Sequence, residues 1–198
     1  IAAADTGTVM IDSSTIDVET AQAAYAAAKA AGFDMIDAPV SGGVTGADAG
    51  TLTFMCGGDK NTFEKAKPIL QCMGKNIIHC GNAGLGQVTK ICNNMLAGIN
   101  ALAASEAMVM GERLGVSRQT LYDVISTSTG RSYIFENSNP MSGVCANSPA
   151  NNDFKPGFMA KLMLKDLRLS QAAAQSANTS TPLGAVATAA FQQLIENG

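Results

Sequence analysis

Hydrophobic and polar positions change period along the chain, and the change marks two regions. In residues 1–80 short apolar runs alternate with amphipathic stretches. "TVMID" (8–12) reads as a buried strand. Residues 17–31 follow as a helix, with Asp17 as cap and Gly32 as stop. "FDMIDAPV" (33–40) is a second strand ended by Pro39, and a glycine-rich loop runs from Ser41 to Gly50. "TLTFMCGG" (51–58) is a third strand. Residues 59–73 form a helix in which Pro68 argues for a break or kink, and "NIIHCG" (76–81) is a fourth strand. Strands alternating with helices mean an α/β sheet that is at least partly parallel.

From residue 84 the period is helical throughout. Val88, Ile91, Met95, Ile99 and Leu102 repeat at the spacing of one helical face, and the segment runs to Gly115. Ser117 caps a second helix with Leu121, Val124 and Ile125 turned inward. Residues 130–157 are rich in Gly, Ser, Asn and Pro, too long for an idle connection, so they either serve a function or carry short turns. A third helix spans about 157–177, and a fourth starts near Pro182, a residue suited to a first helical position. The boundary falls near residue 82. The expected order is an α/β part followed by an all-α part.

Composition removes several functions. Net charge is −3 with a pI near 5.1 and no basic stripe, which excludes nucleic acid and anionic membrane as natural partners. No apolar run approaches the ~20 residues that cross a bilayer. The five cysteines form no C-x-x-C pair and there is one His, so a metal site is not expected and a reducing compartment is. His79, on a strand without an identifiable Ser or Cys partner, reads as structural.

The stretch "GLGQVT" (84–89) raises the question of a phosphate cradle. Gly84 and Gly86 fit the dinucleotide fingerprint, but position 89 is Thr, and Glu106 lies in a helix rather than after a second strand. The glycines instead let the chain leave the sheet tightly and bring backbone near a ligand. Lys90 and Asn94 sit four apart on the helix that follows, with Ala97 and Ala101 nearby. That face suits a substrate pocket, although the pattern alone favours a surface Lys with a polar neighbour. "DAPVSGGVTGADAG" (37–50) offers a hydroxyl and backbone N–H groups for a carboxylate, or is a plain surface loop. "DSST" (12–15) lies at a strand end, where open α/β sheets bind ligands. Lys161, Lys165 and Asp166 read as a solvated helix face.

Three stretches taken together, "DAPVSGGVTGADAGTLTFMCGG", "CGNAGLGQVTKICNNML" and "GFMAKLMLKDLRLSQ", in this order and spacing, resemble the β-hydroxyacid dehydrogenase family. The likeness covers nearly all of residues 8–198. It implies that Lys90 is the catalytic lysine, that Asn94 positions substrate, and that Ser41, Gly42 and Gly43 bind the substrate carboxylate. It also implies that Thr15 and Lys165 contact a nicotinamide cofactor, NAD with NADP not excluded. Asn93 stands where the related 6-phosphogluconate enzymes carry His, which points away from that branch. A lysine base near neutrality needs a pKa below the free value of ~10.4, and burial would favour that.

The resemblance further implies an α/β Rossmann-type domain, present in its C-terminal part only, as a partial dinucleotide-binding domain at 1–82, followed by an all-α substrate and dimerisation domain at 83–198. The family's leading Gly-x-Gly-x-x-Gly unit and C-terminal tail are not among these residues, so a fragment is expected. The substrate expected is 3-hydroxyisobutyrate, with tartronate or succinate semialdehyde as alternatives; the apolar stretch Met141 to Val144 hints at a methyl-bearing substrate. The partner is then a small hydroxy acid in a homodimer or homotetramer, in the mitochondrial matrix of a eukaryote or the cytoplasm of a bacterium. A competing reading is an inactive helical oligomerisation fragment.

Overall fold

The computed structural model describes residues 4, 5, 7–146, 148–155 and 157–197. The described residues form two compact units. One takes residues up to Asn93 together with Ala172–Thr179, and the other takes Asn94–Gln171 and the residues from Ser180 onward.

The first unit is an α/β layer. Strand β1 (Val9–Asp12) pairs in parallel with β2 (Asp34–Asp37), the connection being helix α1 (Val18–Ala30). Asp17 accepts from the Thr20 N–H at 2.7 Å, as the cap reading required. Gly32, the expected stop, follows the cap residue Ala31 and turns the chain back with φ of +82°. The run 33–40 is not one strand. It breaks at Ala38–Pro39 into β2 and β3 (Val40–Ser41), because proline has no N–H for the ladder. The Pro39 carbonyl still accepts from Met55 N at 2.9 Å. Both pieces lie antiparallel to β4 (Leu52–Gly57), which pairs in parallel with β5 (Gly74–Gly81). The sheet is therefore mixed.

The glycine-rich stretch after Ser41 is not a loop throughout. It contains a short helix, α2 (Gly43–Asp48), led by Gly42 at φ +134°. Poor local propensity is overridden by packing: Gly46 is buried, and a Cβ there would sit 3.3 Å from Leu52 Cδ2. Helix α3 (Lys60–Leu70) keeps Pro68 in its last turn. Its inward side chains Phe63, Ala66 and Leu70 join Ile36, Leu52, Phe54 and Cys56 in one core. Each large apolar side chain buried there is worth roughly 1.5–3 kcal/mol, enough to hold the proline in place. His79 serves this framework: its Nε2 lies 2.8 Å from the Gly58 carbonyl oxygen and its ring stacks on Phe63.

Helix α4 (Leu85–Arg113) starts in the first unit, and from Asn94 it belongs to the second. Its buried residues include Lys90, Ile91, Asn94, Gly98, Ala104 and Met108, while Val88, expected inward, is exposed. In the second unit α5 (Arg118–Ser126), capped by Ser117, packs Leu121 and Ile125 against Ala104, Met108 and Phe135. Val124, also expected inward, is 56% exposed. The long polar stretch carries α6 (Tyr133–Asn137) and a 3-10 turn (Pro149–Asn152). Its asparagines staple it: buried Asn139 bonds the Phe135 carbonyl and the Met141 N–H, and Asn151 bonds the Cys145 carbonyl. Helix α7 (Ala160–Ser176) contributes Met163 and Leu167, and α8 (Pro182–Glu196) contributes Ala187, to a second cluster with Met95 and Ile99.

Candidate active site

Asp37 is not marked out by its residue type, yet within the first unit it anchors the start of the helix that carries Lys90. It ends β2, is 4% exposed, and accepts from Gly84 N at 2.7 Å and from Gln87 N at 2.9 Å. A carboxylate thus occupies the positive N-terminus of α4. Burial pushes the Asp37 carboxyl above its usual range, against the opposing pull of the Gly84 and Gln87 N–H groups. The glycines of "GLG" serve this close approach. Gly84 has φ of +87°, and a Cβ on Gly86 would overlap the Met55 carbonyl oxygen and the Asp37 carboxylate. The turn holds the chain's own anion. It is not a phosphate cradle.

Gln87, on the first turn of α4, is fully buried. Its Nε2 donates to the Ser14 carbonyl at 2.7 Å and its Oε1 accepts from Ile16 N at 3.2 Å. Ser14 N in turn donates to Asp12 Oδ1 at 2.9 Å. The segment leaving β1, with half-buried Thr15 between the two bonded residues, is therefore pinned to α4. Lys90 follows Gln87 by three residues on the same helix and is only 8% exposed, rare for lysine.

Ser41, half-buried, closes β3, and Gly42 and Gly43 open α2 with φ of +134° and +61°. Only glycine takes both values without strain. Along the chain this turn leaves Asp37 by four residues, so the carboxylate that fixes the start of Lys90's helix also lies just upstream of the turn.

The second unit carries Asn94 and Lys165. Asn94 is 5% exposed, and its Nδ2 donates to Asp166 Oδ2 at 2.5 Å. Asp166, on α7, is 2% exposed and therefore faces inward, unlike the solvated face read from its charge pattern. Its Oδ1 lies 2.9 Å from Lys165 Nζ, but among the described residues no hydrogen bond to Oδ1 is formed, so the contact is an ion pair outside hydrogen-bond geometry. Lys165 itself has 45% of its side chain exposed. Met141 packs against the Ala104, Met108 and Phe135 cluster and Val144 is buried. Met141 and Val144 thus contribute to their own unit's interior.

Sequence reasoning missed Asp37 and Gln87, the two side chains that tie the start of α4 to β2 and to the segment after β1. The available signal was weak: an acid inside an apolar strand before Pro39, and a glutamine in the first turn after two glycines. Among the described residues no cluster of His, Cys, Asp or Glu could hold a metal ion, and no helix is long and apolar enough to cross a membrane.

Two family descriptions match this chain. Residues 84–198 match the NAD-binding part of NADP-dependent 3-hydroxyisobutyrate dehydrogenase, and residues 1–81 match the NAD-binding domain of 6-phosphogluconate dehydrogenase. A 3-hydroxyisobutyrate dehydrogenase of Pseudomonas aeruginosa is 47% identical over 92% of this chain and 61% of its own length. An NAD-dependent L-serine dehydrogenase of the same organism is 45% identical over 97% of this chain and 64% of its own. The solved structure of Mycobacterium tuberculosis 3-hydroxyisobutyrate dehydrogenase with L-serine superposes with a TM-score of 0.92 at 47% identity, covering 98% of this chain and 66% of that one. The chain thus spans somewhat less than two thirds of the length of these relatives.

Proposed function

The chain belongs to the 3-hydroxyisobutyrate dehydrogenase family of β-hydroxyacid dehydrogenases, and from that premise we propose that it carries the proton-transfer and substrate-holding residues of an NAD(P)-dependent dehydrogenase of small β-hydroxy acids. The observation that carries the reading is the pair Lys90 and Asn94, one turn apart on α4 and 8% and 5% exposed. A lysine this thoroughly buried is rare, and an equally buried amide stands one helical turn on from it.

The residues proposed for the nicotinamide half of the cofactor are Thr15, with its neighbour Ser14, and Lys165. Hydroxyls of Ser14 and Thr15 stand at the carboxyl end of β1, and Lys165 adds a cation. They do not offer a pyrophosphate cradle at 84–87, where Gly84 N and Gln87 N are bonded to Asp37. NAD is the cofactor proposed, with NADP as the alternative; when bound it supplies the acceptor for the hydride.

In this reading the Ser41 hydroxyl and the N–H groups of Gly42 and Gly43 hold the substrate carboxylate. Asn94 keeps the substrate in register. The neutral amine of Lys90 takes the proton of the β-hydroxyl while the carbon-bound hydrogen leaves with its electron pair and the C=O bond forms. In the reverse direction the Lys90 ammonium returns that proton.

The substrate proposed is 3-hydroxyisobutyrate, oxidised to methylmalonate semialdehyde. L-serine is the second reading, favoured by the Pseudomonas relative and by the ligand of the Mycobacterium structure. The two share a hydroxymethyl group β to a carboxylate and differ by an amino group in place of a methyl. We place the protein in the mitochondrial matrix of a eukaryote, as the name of a 44% identical Drosophila melanogaster relative suggests, or in the cytoplasm of a bacterium. Exposed Val109 and Met110 on α4, with Leu114 just past its end, support self-association as a homodimer or homotetramer.

The test is steady-state oxidation by the complete enzyme of 3-hydroxyisobutyrate and L-serine, with reduction of tartronate and succinate semialdehydes alongside. Lys90→Ala is expected to abolish turnover with the melting temperature and cofactor binding kept. Substantial turnover by that variant would sink the assignment of Lys90.

A further inference from the structure

We propose that Gln87 is a positioning residue that sets the nicotinamide-contacting segment at Thr15 against the helix carrying Lys90. This inference rests on the dehydrogenase reading above. Its basis is a buried polar side chain with both ends committed. Gln87 is fully buried, its Nε2 donates to the Ser14 carbonyl at 2.7 Å, and its Oε1 accepts from Ile16 N at 3.2 Å. The two partners are backbone groups on either side of Thr15. A single carboxamide therefore fixes the peptide path through that residue.

Gln87 is itself fixed. Its own N–H donates to Asp37 Oδ2 at 2.9 Å, and Asp37 also receives Gly84 N at 2.7 Å. The first turn of α4 cannot shift without breaking a buried carboxylate contact. Three residues later the same helix carries Lys90. The spacing between the Thr15 segment and the lysine amine is thus set by one helical turn and one carboxamide. An apolar side chain at 87 could fill the space, but it would leave the Ser14 carbonyl and the Ile16 N–H without this partner, so the amide is chosen for the segment it holds.

Two variants of the complete enzyme separate positioning from bulk stability. Gln87→Met keeps volume and loses both bonds. Gln87→Glu keeps the acceptor for Ile16 N and regains a donor toward Ser14 only when protonated. The measurements are the dissociation constants of NAD and NADP by fluorescence titration from pH 5 to 8, KM for the hydroxy acid, and the melting temperature. The expected result for Gln87→Met is a cofactor dissociation constant raised about tenfold, the loss of two buried hydrogen bonds at the weak end of their range, with hydroxy-acid KM within about twofold. Gln87→Glu should bind cofactor weakly at pH 8 and recover as pH falls, while wild type and Gln87→Met show no such recovery.

Unchanged cofactor affinity in both variants overturns the proposal. So does a loss shared equally between cofactor and hydroxy acid, which would mark general damage. Wild-type protein that binds neither NAD nor NADP would instead defeat the dehydrogenase reading on which this one stands.

Discussion

The carboxamide of Asn94 donates to the buried carboxylate of Asp166 across 2.5 Å. A carboxylate only accepts, so this contact sets the rotation of the amide: the NH2 group faces Asp166 and the carbonyl oxygen faces away. Asp166→Asn removes that preference, because either end of one amide can meet either end of the other. The variant should lose about tenfold in kcat/KM for the hydroxy acid, the scale of one misdirected hydrogen bond. Steady-state kinetics at saturating cofactor check this. A variant with unchanged kcat/KM would separate Asp166 from the substrate site.

Asp37 should leave a pH signature in stability. Its carboxyl titrates above the usual range because it is buried, with the Gly84 and Gln87 N–H groups opposing. A carboxyl that holds its proton more tightly when folded adds stability that is fully present below the unfolded pKa of about 3.9 and is lost as pH rises through the folded value. Asp37→Asn keeps one acceptor and leaves one N–H facing an NH2 group, a cost of about 1–3 kcal/mol. The stability gap between wild type and variant should therefore widen as pH falls through that window. Urea titrations at several pH values measure it, and a gap independent of pH would contradict the shift.

Gly86→Ala should be far more damaging than an ordinary glycine substitution in a helix. The added methyl would meet the Met55 carbonyl oxygen and the Asp37 carboxylate, and a backbone carbonyl cannot swing aside. The expected loss is about 3 kcal/mol or more, at the upper end of overpacking costs. Gly115→Ala is a useful contrast: a methyl there would enter open space, with nothing within 4 Å among the described residues, and only its φ of +95° opposes the change. Denaturant midpoints of the two variants decide the point.

Thiol reactivity should sort by burial. Cys72 and Cys92 are exposed, whereas Cys56 and Cys145 are buried, and burial pushes the Cys56 thiol up to about 12. Alkylation by iodoacetamide at pH 8, followed by mass spectrometry, should label Cys72 and Cys92 first. Cys56 should react only after unfolding, because the thiolate is the nucleophile. Early labelling of Cys56 would mean that β4 opens locally.

Local rules read much of this fold directly from the residues. Asp17 and Ser117 cap the helices they precede, and Pro182 opens α8. These signals are carried by residues within a few positions of the feature they make. What escaped was decided at long range. Helix α2 forms although its residues are poor helix formers, because Leu52 closes over Gly46. Val88 and Val124 lie on the apolar faces read from periodicity and still point to solvent: on α4 buried polar and small groups take the inward positions, and on α5 Leu121 and Ile125 take them. Of the residues proposed for function, Lys90, Asn94 and the Ser41-Gly42-Gly43 turn were visible as motifs. Asp37 and Gln87 were not, since their partners are dozens of residues away. Asp166 was visible as a charge and misread as solvated.

The junction of Asp37 with α4 also bears on how such chains can be recognised. A Cβ on Gly57 would overlap the Asp37 carboxylate and would also lie 2.8 Å from Gly86 N and 2.9 Å from the Asn82 carbonyl oxygen, so two of the three atoms walling it in are backbone. Gly86 is enclosed in the same way by Met55. No compensating side-chain change elsewhere can relieve either glycine. Asp37, Gly57 and Gly86 therefore form a signature scattered over two strands and a helix, which a search for contiguous motifs passes over. A distant chain that keeps all three, with its other glycines lost, should still start this helix against this sheet.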